Sequence, residues 1–115
     1  MNMEGVLIEL LDYRDVLGAV ATTTDGLVIA AVGIGDEDAE VVAAAGSTLG
    51  KVLARTQEQE GDVAVRSGEI HVVIDRDLML VTLTEPGAAA DRLRPMMRGA
   101  LERVGTALHP DERPA

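Results

Sequence analysis

Met3, Val6, Leu7, Leu10 and Leu11 fall on one face of a helix, and Glu4 and Glu9 fall off it. This spacing predicts a short amphipathic helix over residues 3–14. The pattern then becomes that of a packed sheet. Gly18-Ala19-Val20-Ala21-Thr22-Thr23 and Leu27-Val28-Ile29-Ala30-Ala31 flank Asp25-Gly26 with small and β-branched residues. Asp-Gly suits a type I′ turn, which needs positive φ at both central residues, so the stretch reads as a hairpin. Gly33-Ile34-Gly35 is a loop. Asp36 reads as the N-cap of a helix over residues 37–59. Glu37, Asp38 and Glu40 in its first turn favour the positive end of the helix dipole, a better reading of these acids than a cation site.

Residues 58–62 read as a turn, Val63-Ala64-Val65-Arg66 as a short strand and Ser67-Gly68 as the next turn. Ile70, Val72 and Ile74 lie on one face of a strand over 69–74. Asp75-Arg76-Asp77 turns the chain again. Leu78 to Leu83 is nearly continuous apolar, as in a central strand covered on both faces. Loops this short join antiparallel neighbours, so these strands form a meander. Thr84-Glu85-Pro86-Gly87 breaks the sheet. Leu93, Met97, Ala100, Leu101, Val104 and Leu108 trace one face of a last helix, with Pro95 expected to kink it. The order is helix, strand, strand, helix, strand, strand, strand, helix. Residues 1–109 are expected to form one α/β domain (α+β in arrangement), and 110–115 a disordered tail.

The middle helix carries Gly46 and Gly50 one turn apart. Each glycine costs about 1 kcal/mol against alanine in a helix interior, so close approach by another backbone must offset it. That backbone could be the chain's own sheet or the same helix of a second subunit. Ala39, Val42, Ala43, Leu49, Val52 and Leu53 extend the small and apolar surface around much of the circumference. A helix apolar on more than one side is buried on more than one side, which favours a second subunit.

Composition narrows the function. The chain of 115 residues has no Cys, Phe or Trp and one Tyr, Tyr13, so its core is aliphatic and it has neither disulfide nor thiol chemistry. A net charge of −10 disfavours nucleic acid and anionic membrane as partners. No apolar run reaches the roughly 18 residues of a membrane span. The first residues lack the basic start of a signal peptide, so a cytoplasmic protein is expected.

Candidate chemistry is sparse. His71 lies mid-strand and His109 at the end of the last helix, and neither has the partners of a metal site. Ser47 and Ser67 lack a nucleophile setting. Gly33-x-Gly35 lacks the rest of a dinucleotide fingerprint, and Gly50-Lys51-Val52 is not a phosphate loop. Asp25, Asp75 and Asp77 all occupy turns, and only a meeting of those tips would make a cation site. No catalytic residue, metal or cofactor is expected. Arg92, Arg94, Arg98 and Arg103 cluster on the last helix against the acidic background. They read as a solvated flank that compensates the dipole. Alternatively, Arg92, Arg94 and Arg98 dock an acidic partner or pair between subunits.

Leu10-Leu11, Val16-Leu17-Gly18-Ala19-Val20 and Asp25-Gly26-Leu27-Val28-Ile29-Ala30 together resemble the opening signature of the roadblock/light-chain-seven family. Leu78-Met79-Leu80-Val81-Thr82-Leu83-Thr84 resembles that family's apolar fifth strand. The similarity in element order spans residues 3–108. The resemblance implies a profilin-like sandwich: a five-stranded antiparallel sheet with helices on both faces. It implies a homodimer in which edge strands pair and the long second helices pack together. Val42, Gly46, Leu49, Gly50, Leu53, Val63 and Val65 are the expected interface. It further implies a non-enzymatic regulator or adaptor of a small Ras-like GTPase. Some bacterial relatives are GTPase activators, and such a partner can reshape switch loops without a catalytic side chain. The alternative implied is a scaffold or motor-associated light chain indifferent to nucleotide.

Overall fold

The apolar runs become five strands in a computed structural model that describes residues 3–66 and 68–108. The expected turn residue Ser67, His109 and the expected tail 110–115 lie outside the described residues. The elements are α1 (Met3–Ile8), β1 (Val16–Thr23), β2 (Val28–Val32), α2 (Asp36–Arg55), β3 (Glu60–Val65), β4 (Gly68–Asp75), β5 (Leu78–Thr84) and α3 (Ala90–Leu108). All pairings are antiparallel, and the sheet order is β2-β1-β5-β4-β3.

Strand alternation sorts side chains into two cores. Val20, Ile70, Val72, Met79 and Val81 meet α2. Ala19, Ala21, Val73, Leu78 and Leu80 meet α1 and α3. β5 is therefore covered on both faces, as its continuous apolar run predicts.

Several boundaries differ from expectation. α1 stops at Ile8 and continues as a 3₁₀ turn, Glu9–Asp12. The hairpin tip is not type I′, because only Gly26 has positive φ, at 91°. Gly26 N–H donates to Thr23 O at 2.9 Å, and Thr23 N–H to Leu27 O at 3.0 Å. This is a three-residue loop with a left-handed glycine last, so Asp25 needs no strained conformation. Gly35, not Asp36, caps α2, without a side-chain bond.

α2 also ends before 59. Gln57 adopts φ 59°, Glu58 N–H donates to Leu53 O at 2.9 Å and Gln57 N–H to Ala54 O at 3.3 Å. These two bonds form a Schellman stop, with glutamine where glycine is usual. The early stop frees Glu60-Gly61-Asp62 to begin β3 rather than form a turn. α3 runs through Pro95, whose missing N–H costs one intrahelical bond.

Gly46 and Gly50 both face the chain's own sheet. A Cβ at Gly46 would sit 2.5 Å from Val81 Cγ2, whereas one at Gly50 would lie 3.5 Å from Ile74 Cδ1. Close helix-on-sheet contact therefore accounts for Gly46. The second-subunit reading of that glycine gives way to internal packing.

These contacts separate the two substitutions. Gly46→Ala gains helix propensity but must displace a stiff β-branched side chain, and is expected to destabilise by about 1–3 kcal/mol. Gly50→Ala meets ordinary contact distance and should stabilise by up to about 1 kcal/mol. Urea denaturation of the two variants checks both signs.

Candidate functional site

Among the described residues the sheet leaves β3 at one edge with no strand beyond it. The other edge, β2, is five residues long, and a register shift interrupts its pairing at Ala21/Thr22. Short length and irregularity blunt an edge, whereas β3 keeps regular pairing and stays available.

The two faces of β3 differ. On the α2 side stand Gly61, Val63 and Val65. A Cβ at Gly61 would meet Leu53 Cδ2 at 2.8 Å, Val65 packs on the core, and Val63 stays 39% exposed. The outward face of α2 continues this open apolar surface with Val41 at 68% and Val52 at 52% exposure. Val41, Ala45, Thr48 and Val52 follow helical spacing along one stripe.

Of the residues expected at an interface, Val42, Gly46 and Leu53 are buried within the chain. Leu49 packs against the same core, and Gly50 faces Ile74 and Met79. Val63 and Val65 do lie on the open edge strand. Val41 and Val52 are absent from the expected set. Helical phase could have identified them, since both fall opposite Gly46 and Gly50.

On the α3 side, β3 meets a polar network. Asp62 pairs with His71 in register, and His71 Nδ1–H donates to Asp62 Oδ1 at 2.7 Å. His71 Nε2 lies 2.9 Å from Thr84 Oγ1 and 3.7 Å from Glu69 Oε2. Carboxylate, imidazole and hydroxyl stand in the order of a catalytic triad. Yet His71 and Thr84 are wholly buried, so the hydroxyl has no open approach and the network ties three strands together.

Arg94 pairs with Asp62, and Arg98 with Glu60 at 3.0 Å. Arg103 reaches Glu9 of the 3₁₀ turn at 2.8 Å. Three of the four clustered arginines thus hold the chain's own elements together, and Arg92 is left on an exposed flank. Arg94 and Arg98, expected to dock an acidic partner or pair between subunits, are engaged in this intrachain clamp and stay partly exposed. Spacing on one helix carried no signal of it, because their acidic partners lie more than 30 residues away.

Ser47 Oγ donates to Thr24 O at 3.0 Å, which anchors the β1–β2 tip on α2. That tip meets the β4–β5 turn through Thr24 N–H and Asp77 O, 3.1 Å apart. Among the described residues no three His, Cys, Asp or Glu side chains converge to hold a metal. Among the same residues no helix is long and apolar enough to cross a membrane.

The family model for the Roadblock/LC7 domain matches residues 3–84. The chain belongs to the Roadblock/LC7 family. A Roadblock/LC7 domain from Streptomyces avermitilis superposes with a TM-score of 0.80 at 21% identity, covering 94% of this chain and 98% of that one. Myxococcus xanthus MglB superposes at 0.73 with 12% identity, covering 94% and 95%. The gliding protein MglB of Thermus thermophilus reaches 0.63 at 19% identity, covering 87% and 83%. No curated protein matches the chain. The five-stranded antiparallel sheet and element order of this Roadblock/LC7 chain are those its sequence predicts.

Two outcomes test the clamp. Asp62→Ala leaves His71 and Arg94 without their acceptor and should destabilise by about 1–3 kcal/mol in urea denaturation. At the other end of α3, the hydrogen bond from Arg103, with its charge, holds the Glu9 carboxyl below its ordinary value of 4.5. A depressed folded value stabilises above the unfolded one and is lost as pH falls through the folded value. Thermal melts between pH 6 and pH 2 should therefore lose this contribution below about pH 4.5. Glu9→Gln should remove that component of the acid dependence.

Proposed function

We propose that this protein is a homodimeric regulator or adaptor that binds a small Ras-like GTPase and modulates its nucleotide cycle. One observation carries the reading. An unpaired, regular edge strand and an outward apolar helix stripe lie on the same side of the sheet, in a chain of the Roadblock/LC7 family. Pairing β3 with its copy would satisfy the edge and cover Val63. Bringing α2 beside its copy would cover Val41 and Val52. A specific interface of this kind removes about 800 Å² per subunit from water.

The GTPase half of the proposal rests on the family resemblance and on the sparse catalytic inventory. A regulator without its own catalytic groups acts by binding one nucleotide state of its partner better than the other. The dimer would offer that partner a two-fold surface. Affinity for a candidate GTPase loaded with GTP against GDP measures the difference. Equal affinity in both states would make the protein a nucleotide-indifferent scaffold instead.

The dimer can be tested alone. Val41→Asp with Val52→Asp places charge at two exposed positions, so monomer stability should change by less than about 0.5 kcal/mol each. The dimer should weaken at least about 100-fold, or about 2.7 kcal/mol. Analytical ultracentrifugation at micromolar concentration reads both the parent and the variant.

A further inference from the structure

We propose that the groove between α1 and α3 docks a helix of a protein partner, one that points large apolar side chains into it and carries carboxylates about three turns apart. The inference goes beyond the self-association proposed above, because the groove lies on the α3 face of the sheet and the open α2 stripe on the other. It follows from two residues of α3 that the chain's own packing does not use.

Pro95 and Gly99 stand about one turn apart inside α3. Proline removes a backbone donor from a helix interior and glycine is a poor helix former, so each lowers the stability of α3. Close contact with Val81 offsets the cost of Gly46, whereas a Cβ at Gly99 would meet nothing within 4 Å. Pro95 is likewise exposed. Both residues line a cavity of about 280 Å³, together with Met96, Ala100, Val6 of α1 and Leu10 of the 3₁₀ turn. Met96 is 40% exposed. The groove is therefore apolar, and its glycine lets a second backbone come close.

Shape and charge select the occupant. Pockets for small molecules enclose about 300–1,000 Å³ and bury most of the ligand. A smaller cavity, open along a helix, fits one or two large side chains of a docked protein helix. At about 100° per residue, Arg92, Met96, Gly99 and Arg103 share an arc of about 60°. The two arginines bracket the groove about 16 Å apart along the axis, the rise of about three turns of a second helix. Asp91 and Glu102 lie off this arc. Arg103 holds Glu9 at 2.8 Å, and among the described residues Arg92 has no acidic partner. In a chain of net charge −10, this rim attracts an acidic segment that the rest of the surface repels.

Fluorescence polarisation with a blocked, labelled helical peptide tests the assignment. The peptide presents leucines at i, i+3, i+4 and i+7 spacing and two glutamates about three turns apart. Two copies replace both glutamates with lysine or with glutamine. At low salt the glutamate peptide should bind at least about tenfold more tightly than the lysine copy, with the gap closing in high salt. Arg92→Glu should remove most of that preference. Gly99→Leu fills the groove. It should melt no lower than the parent and lose all three peptides. Gly99→Ala should melt about 4 °C higher. A lower melting temperature for Gly99→Ala would mean that internal packing needs this glycine, and would overturn the inference. So would a parent that binds none of the peptides, a glutamine or lysine copy that binds as tightly as the glutamate peptide, or binding that survives Gly99→Leu. A sedimenting mass that drops in Gly99→Leu would place a second copy of the chain in the groove and overturn it too. An unchanged mass keeps the peptide result separate from self-association.

Discussion

The seating of Gly46 on Val81 sets the distance between α2 and the sheet. With no Phe or Trp in the chain, no large ring spans the gap between layers. Closeness must replace bulk, and the α2 face supplies it with Ala39, Ala43, Gly46 and Ser47, all buried. The same closeness lets Ser47 reach the carbonyl of Thr24 and seat the β1–β2 tip. One short contact thus fixes the depth of α2, the position of a hairpin and the exposure of the opposite helix stripe.

The other face is held by different physics. Beneath α3 the centre is aliphatic, with Leu80, Leu93, Met97 and Leu101 wholly or nearly wholly buried, but the margin toward β3 is ionic. Thr82 Oγ1, opposite His71 in register, and Arg94 Nε are buried without a hydrogen-bond partner. Leaving polar atoms unmatched costs stability. The clamp orients α3 on the edge strand; its partly exposed arginine pairs each add modest energy, and the larger share of what Asp62 contributes comes from the buried His71 it accepts from.

The fold was legible because both faces of the sheet write themselves into alternation. Ile70, Val72 and Ile74 marked one face of β4, and the unbroken run from Leu78 marked the doubly covered strand. Polar and non-local features were not legible. Glu60 and Asp62 look like turn residues until Arg98 and Arg94 arrive from the far end of the chain. Gln57 gives no composition signal for a helix stop, since glycine normally holds that conformation. Gly46 was ambiguous for a different reason: small residues surround α2, and periodicity cannot tell a face pressed on a sheet from one pressed on another helix. The exposed valines resolve it, because only positions out of phase with the glycines remain open.

That phase relation bears on how β3 would meet a second strand. Leu53 packs beneath Gly61 on one side, and the arginines of α3 hold Glu60 and Asp62 on the other. The strand is therefore held on both faces and its acids are paired before any second copy approaches. Ordering a loose edge on association would consume much of the free energy gained from new backbone bonds. Here that ordering belongs to the folding of the single chain, so association would not have to order the edge again. The packing of Leu53 under Gly61 and the clamping arginines are in this sense part of what makes the edge fit to be shared.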